Sequence, residues 1–155
     1  MLSDIASAGG LELRASLFYA AVMSLRWYST VVDSRNIQEL SRWWAETLGW
    51  QIIFESEDEV AIVPAWVSVE ELKKTSWDRV SPGLVFVPFP ESKETKNRLH
   101  IDLAPYITDD RQALIDGLLA RGAELANVGQ QDDATFTVLR DPEGNEFCVL
   151  SVREI

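Results

Sequence analysis

Along the chain the spacing of apolar positions alternates between the period of a strand and that of a helix. "RWYSTVV" (Arg26 to Val32) is rich in aromatic and β-branched residues and predicts a strand. In "DSRNIQELSRWWAETLGW" the apolar residues Ile37, Leu40, Trp44 and Leu48 recur at helical spacing. Asp33, Ser34 and Asn36 are its N-cap candidates, Glu39 follows three residues after Asn36, and Gly49 is a good stop. "WQIIFE" and "EVAIVPA" then predict two strands joined by an acidic turn, and "GLVFVPF" another after the polar linker "VEELKKTSWDRVSP". The second half repeats this order. "RLHIDLA" predicts a strand, "DDRQALIDGLLARG" a helix capped by Thr108 or Asp109 and stopped by Gly122, and "AELANV", "TFTVLR" and "EFCVLSV" three more strands. The result is an α+β chain of two βαβββ modules, about 26–90 and 97–153.

The turn in "LRDPEGNEF" is the sharpest local signal. Pro142 presets its first corner residue, Gly144 supplies a strained or left-handed position, and Glu143 reads as a solvated corner side chain. The chain of 155 residues, 46% of them apolar, suits one globular domain over 23–155, with 1–22 as a peripheral extension. Asp and Glu outnumber Lys and Arg 25 to 14, for a net charge of −11, which would repel a phosphate backbone. Nucleic acid is therefore excluded as a partner. Cys148 is the only cysteine, so no intrachain disulfide forms and a cytoplasmic location is expected. The apolar run in "LRASLFYAAVMSLRW" is short and closed by Arg26, which supports neither secretion nor membrane spanning.

"WWAETLGW", "KNRLHIDL", "LLARGAEL" and "LRDPEGNEFCVL", in this order and spacing, resemble a glyoxalase-like domain of the vicinal oxygen chelate superfamily, which includes glyoxalases, extradiol dioxygenases and bleomycin-resistance proteins. The resemblance runs from about Arg26 to Val152. It implies paired βαβββ modules whose mixed sheets curl around one cavity, with the helices outside. In metal-dependent relatives, equivalent positions on the first and last strand of each module supply His, Glu or Gln ligands. Carried onto this chain, those positions fall at Ser29 or Thr30, at Phe86 or Val87, at His100 and at Cys148. Only His100 and Cys148 are ligands of ordinary strength, and one histidine cannot build a two-histidine iron triad. The expectation is no metal. The alternative is a divalent metal at His100, Cys148 and Glu146, since strand alternation puts Glu146 on the face of Cys148 and Asp102 on that of His100.

The same alternation aims Arg98, His100 and Asp102 at the cavity and Leu99, Ile101 and Leu103 under the helices. Neutral imidazole offers one donor and one acceptor, so His100 can orient a polar ligand or move a proton, with Glu146 as the second acid/base candidate. Cys148 belongs to the pocket wall, because buried cysteines behave as small hydrophobes. Phe54, Trp66 and Phe86 are candidate aromatic walls for a small, partly apolar ligand, and Trp66 and Trp77 flank a linker that could form the rim. The function expected is a metal-independent, small-molecule-binding glyoxalase-like protein, with lyase or isomerase activity as its catalytic form. The alternatives are a divalent-metal lyase or isomerase, and a drug-sequestering resistance protein. A homodimer with Trp43 as an apolar anchor is expected as well.

Overall fold

In this computed structural model residues 25–76, 79–131 and 133–153 are described. The expectations for 1–22 and for Trp77 lie outside them. Asn36 caps the first helix by accepting from Glu39 N at 3.2 Å, and Gly49 ends it in the left-handed region at φ 62°. The helix between them, α1 (Ile37–Leu48), buries Ile37, Leu40, Trp43 and Trp44 along one face. Around it run β1 (Ser29–Ser34), β2 (Trp50–Glu55), β3 (Val60–Pro64) and β4 (Gly83–Pro88), ordered β1-β4-β3-β2 with β1 and β4 parallel. The linker expected to be plain loop holds a short helix, α2 (Val69–Lys74), because Ser68 accepts from Glu71 N and caps it.

The second module repeats the layout with β5 (Ile101–Leu103), α3 (Arg111–Ala120), β6 (Glu124–Leu125), β7 (Thr137–Arg140) and β8 (Glu146–Val149), ordered β5-β8-β7-β6. Its cap is Asp110, whose carboxylate accepts from Gln112 N and Ala113 N, and not the expected Thr108 or Asp109. Two βαβββ modules, each a four-stranded mixed sheet with a helix, confirm the α+β class. No described helix is long and apolar enough to cross a membrane.

One core joins the modules. Trp43 and Trp44 of α1 meet Phe147 of β8 edge to face, with ring centres 5.8 and 5.3 Å away. Trp43 is only 8% exposed and donates its Nε1 hydrogen to Arg121 O. It therefore anchors one module to the other within the chain and is not the surface anchor expected for a dimer. Trp44 Nε1 donates to Asp141 Oδ2 at 3.0 Å.

That carboxylate belongs to the "DPEGN" corner, which proves to be the second half of the junction. Asp141 also accepts from Glu143 N and Asn145 N, each at 2.9 Å, and Gly144 takes φ 90°. Burial pushes the Asp141 carboxyl up, although bonds from Asn145, Trp44 and Glu143 pull it down. Glu143 departs from the sequence expectation of a solvated corner. Its carboxylate accepts from Ser34 Oγ, Arg35 N and Asn36 N, all at 2.9 Å, just ahead of α1. A negative charge there also complements the start of the helix.

Candidate functional site

Strand register decides which side chains face the helices and which face away. In the first sheet Leu84 and Phe86 point into the core with Val60 and Ile62, while Val85 and Val87 rise on the open face opposite Val31 and Asp33. Phe86 is 0% exposed, so its place is under α1 and Val87 holds the open-face position. The expectation that Phe86 lines a ligand cavity is corrected accordingly. Ser29 starts β1, half-buried and paired with Gly83. Ser29 offers a metal only a weak hydroxyl and Val87 no ligand atom at all. Trp66 lies exposed in the loop after β3, and Phe54 is half exposed beside a bulge in β2.

The second sheet carries the denser chemistry. β5 pairs with β8 so that Asp102 lies beside Cys148, and Ile101 and Leu103 turn toward the core as expected. Leu99 does not, being almost fully exposed, because β5 starts only at Ile101 and alternation has no hold before it. His100, one residue ahead of the strand, brings its Nε2 to 3.1 Å from Asp102 Oδ1, both side chains being roughly half exposed. The candidate ligand atoms of His100, Asp102 and Cys148 all lie within 4.8 Å of one another. Arg98 is exposed on the segment leading into the cluster.

Cys148 closes the floor of this face with Ala126 and Val138. Desolvation raises its thiol, the charge of Asp102 and a hydrogen bond to it act in the same direction, and Lys96 opposes them. At neutral pH the sulfur therefore stays a thiol.

Glu146 shares the face of Cys148 but is committed elsewhere. It accepts from Lys93 Nζ at 2.9 Å and from Asn97 N at 2.9 Å, with Arg140 Nε 3.6 Å away. Desolvation alone would raise its carboxyl, yet the Asn97 and Lys93 contacts outweigh it and hold the group at about 2. A carboxylate so held stays ionised at neutral pH and does not exchange protons with a ligand. It pins residues 89–100, which lie outside regular structure, to the edge of the sheet. Lys93, Lys96 and Asn97 were not singled out from sequence. The signal was the basic spacing of "KETKNR" in an otherwise acidic chain.

The pattern of the family described as "Glyoxalase-like domain" matches residues 29–150. The chain belongs to this family, within the vicinal oxygen chelate superfamily. Among curated proteins none matches it. Similar solved structures include a glyoxalase/bleomycin resistance protein/dioxygenase family enzyme from Burkholderia phytofirmans PsJN, at 18% identity and TM-score 0.56, covering 83% of this chain and 100% of that one. The fosfomycin resistance protein FosX from Mesorhizobium loti aligns at 10% identity and TM-score 0.57, covering 85% and 94%. A glyoxalase/bleomycin resistance protein from Albidiferax ferrireducens T118 aligns at 14% and TM-score 0.51, covering 81% and 98%. At these identities the likeness speaks for the fold.

Proposed function

We propose that this chain is a small-molecule-binding glyoxalase-like protein that works without a resident metal, and that its ligand lies on the open face of the second sheet. The observation that carries this reading is the His100–Asp102 contact beside Cys148. Asp102 Oδ1 lies 3.1 Å from Nε2 of the ring, so Nδ1 is left to take or give a hydrogen bond to a polar ligand group. His100 is the candidate acid/base for lyase or isomerase chemistry on such a ligand. Glu146, ionised and tied to Lys93 and Asn97, serves as the anchor of the 89–100 segment instead.

The metal reading has one observation in its favour, the convergence of a nitrogen, a carboxylate oxygen and a sulfur within 4.8 Å. That donor set suits zinc, which would supply Lewis acidity to a bound oxygen. Asp102, and not Glu146, is then the carboxylate ligand. Against it, Asp102 already serves His100, and the Cys148 thiol is held protonated by burial and by that same carboxylate. A melting comparison separates the readings. Equal transitions with and without EDTA support the metal-independent form, whereas a large drop in EDTA, restored by Zn²⁺ and absent in Asp102→Ala, supports the metal form.

A cytoplasmic location is part of the proposal, supported by the single buried thiol. So is a homodimer, with the open face of the first sheet in place of Trp43 as its apolar surface, since Val31 and Phe54 there are 58% and 52% exposed.

A further inference from the structure

The open face of the second sheet holds more than the histidine cluster. β7 pairs with β8 so that Val138 lies opposite Cys148 and Arg140 opposite Glu146, which puts Arg140 on the same face as Asp102 and Cys148. The segment tied down by Glu146 crosses the end of this face. Between segment and sheet lies a cleft of about 430 Å³, with Lys93, Lys96, Arg140 and Val128 in its wall. Val128 also packs against Ala126, Val138 and Cys148, so it links the wall of the cleft to the floor beneath His100.

Its charge is opposite to that of the molecule. The chain as a whole carries −11, yet this wall gathers three cations against Glu94 and Glu146. Glu146 is neutralised by Lys93 at 2.9 Å. Lys96 makes no ion pair or hydrogen bond among the described residues, and Arg140 meets Glu146 only through Nε at 3.6 Å, leaving its two terminal nitrogens to bind something else. A guanidinium fork and an adjacent ammonium match the two oxygens of a carboxylate.

We propose that this cleft receives the charged end of the ligand, and that the ligand is a singly charged organic carboxylate. Its carboxylate lies between Lys96 and Arg140, and its body extends over Val128 toward Cys148 and His100. One net positive charge in the wall suits one negative charge on the ligand, and a polyanion would meet the repulsion of the rest of the molecule. This assignment rests on the reading of the same face as the ligand site, and the two can fail separately.

His100 is the only histidine, so its imidazole NMR resonances report on this face without assignment ambiguity. The full chain is titrated at constant ionic strength with benzoate, with benzamide as the neutral isostere, and with inorganic phosphate. Benzoate is expected to shift the His100 signals saturably and benzamide to bind about tenfold more weakly or less, the worth of one charge-assisted contact. Lys96→Met should weaken benzoate about tenfold without changing the melting temperature, since Lys96 is exposed and unpaired among the described residues. Phosphate should bind more weakly than benzoate. Equal binding of benzoate and benzamide, or indifference of benzoate to Lys96→Met, would overturn the carboxylate assignment and leave the ligand face standing. Phosphate matching benzoate would reduce the cleft to a charge trap and overturn it too. Silence of His100 toward all three probes would overturn both readings.

Discussion

Replacing Glu143 by alanine should destabilise the fold far more than a corner residue ought to. The carboxylate accepts three hydrogen bonds of 2.9 Å from Ser34 Oγ, Arg35 N and Asn36 N. Arg35 and Asn36 are exposed, so water can replace those two bonds at little cost. Ser34 is 1% exposed, and its hydroxyl would keep only its bond from Asn36 N. A buried bond to a charged group contributes about 1.5–3 kcal/mol, and a negative charge at a helix start about 0.3–1 kcal/mol. The loss is therefore about 2–4 kcal/mol, which for a domain of this size lowers the melting temperature by about 4–16 °C. Glu143→Gln keeps one acceptor and should fall about halfway. Glu91→Ala, which removes an exposed acid with no partner among the described residues, should stay within about 0.5 kcal/mol of the parent. Tryptophan fluorescence is the natural probe, since Trp43 and Trp44 lie in the core that joins the two modules. If Glu143→Ala melts within about 1 °C of the parent, the clamp contributes nothing and the account of the junction fails.

Gly144→Val should also destabilise, because a β-branched residue resists φ 90°, although its Cβ would meet no atom within 4 Å; a parental urea midpoint would contradict this. Glu146 has its folded value lowered from 4.5 to about 2, so its contribution is fully present above pH 4.5 and lost as pH falls toward 2. The gap corresponds to about 3 kcal/mol at neutral pH, and the stability difference between the parent and Glu146→Gln should shrink through that window; a difference independent of pH would count against the Lys93–Glu146–Asn97 arrangement. Because burial and Asp102 raise the Cys148 thiol, the folded chain should react with a thiol reagent at pH 8 much more slowly than the urea-unfolded chain, and equal rates would contradict its position.

Much of the architecture was legible in sequence because it rests on local chemistry. The helical spacing of Ile37, Leu40, Trp44 and Leu48 and the stop at Gly49 act within one element and agree with the structure, and the cap is Asn36, one of the three candidates that the sequence offers. The place of Phe86 was not, because alternation names two faces without saying which one the helix covers, and an error of one residue exchanges Phe86 with Val87. Glu143 as a solvated corner and Trp43 as a dimer anchor fail for a related reason. Each makes its bonds to residues 78 to 109 positions away, and nothing in a turn or helix pattern encodes such a partner. At the candidate site, His100 and Asp102 do come within 3.1 Å of each other, but His100 lies one residue ahead of β5, so alternation along the strand is not what brings them together. The commitment of Glu146 to Lys93 and Asn97 was not legible either, since it depends on where an irregular segment folds back.

The central claim is that the face around His100 binds a small organic molecule and no resident metal. Native mass spectrometry of the freshly purified full chain tests it most directly, since it weighs protein, metal and ligand together. The account predicts a species free of metal mass that carries an organic adduct, and loss of that adduct in His100→Ala. One equivalent of a divalent metal per chain, retained in Glu146→Gln and lost in both His100→Ala and Asp102→Ala, would contradict it.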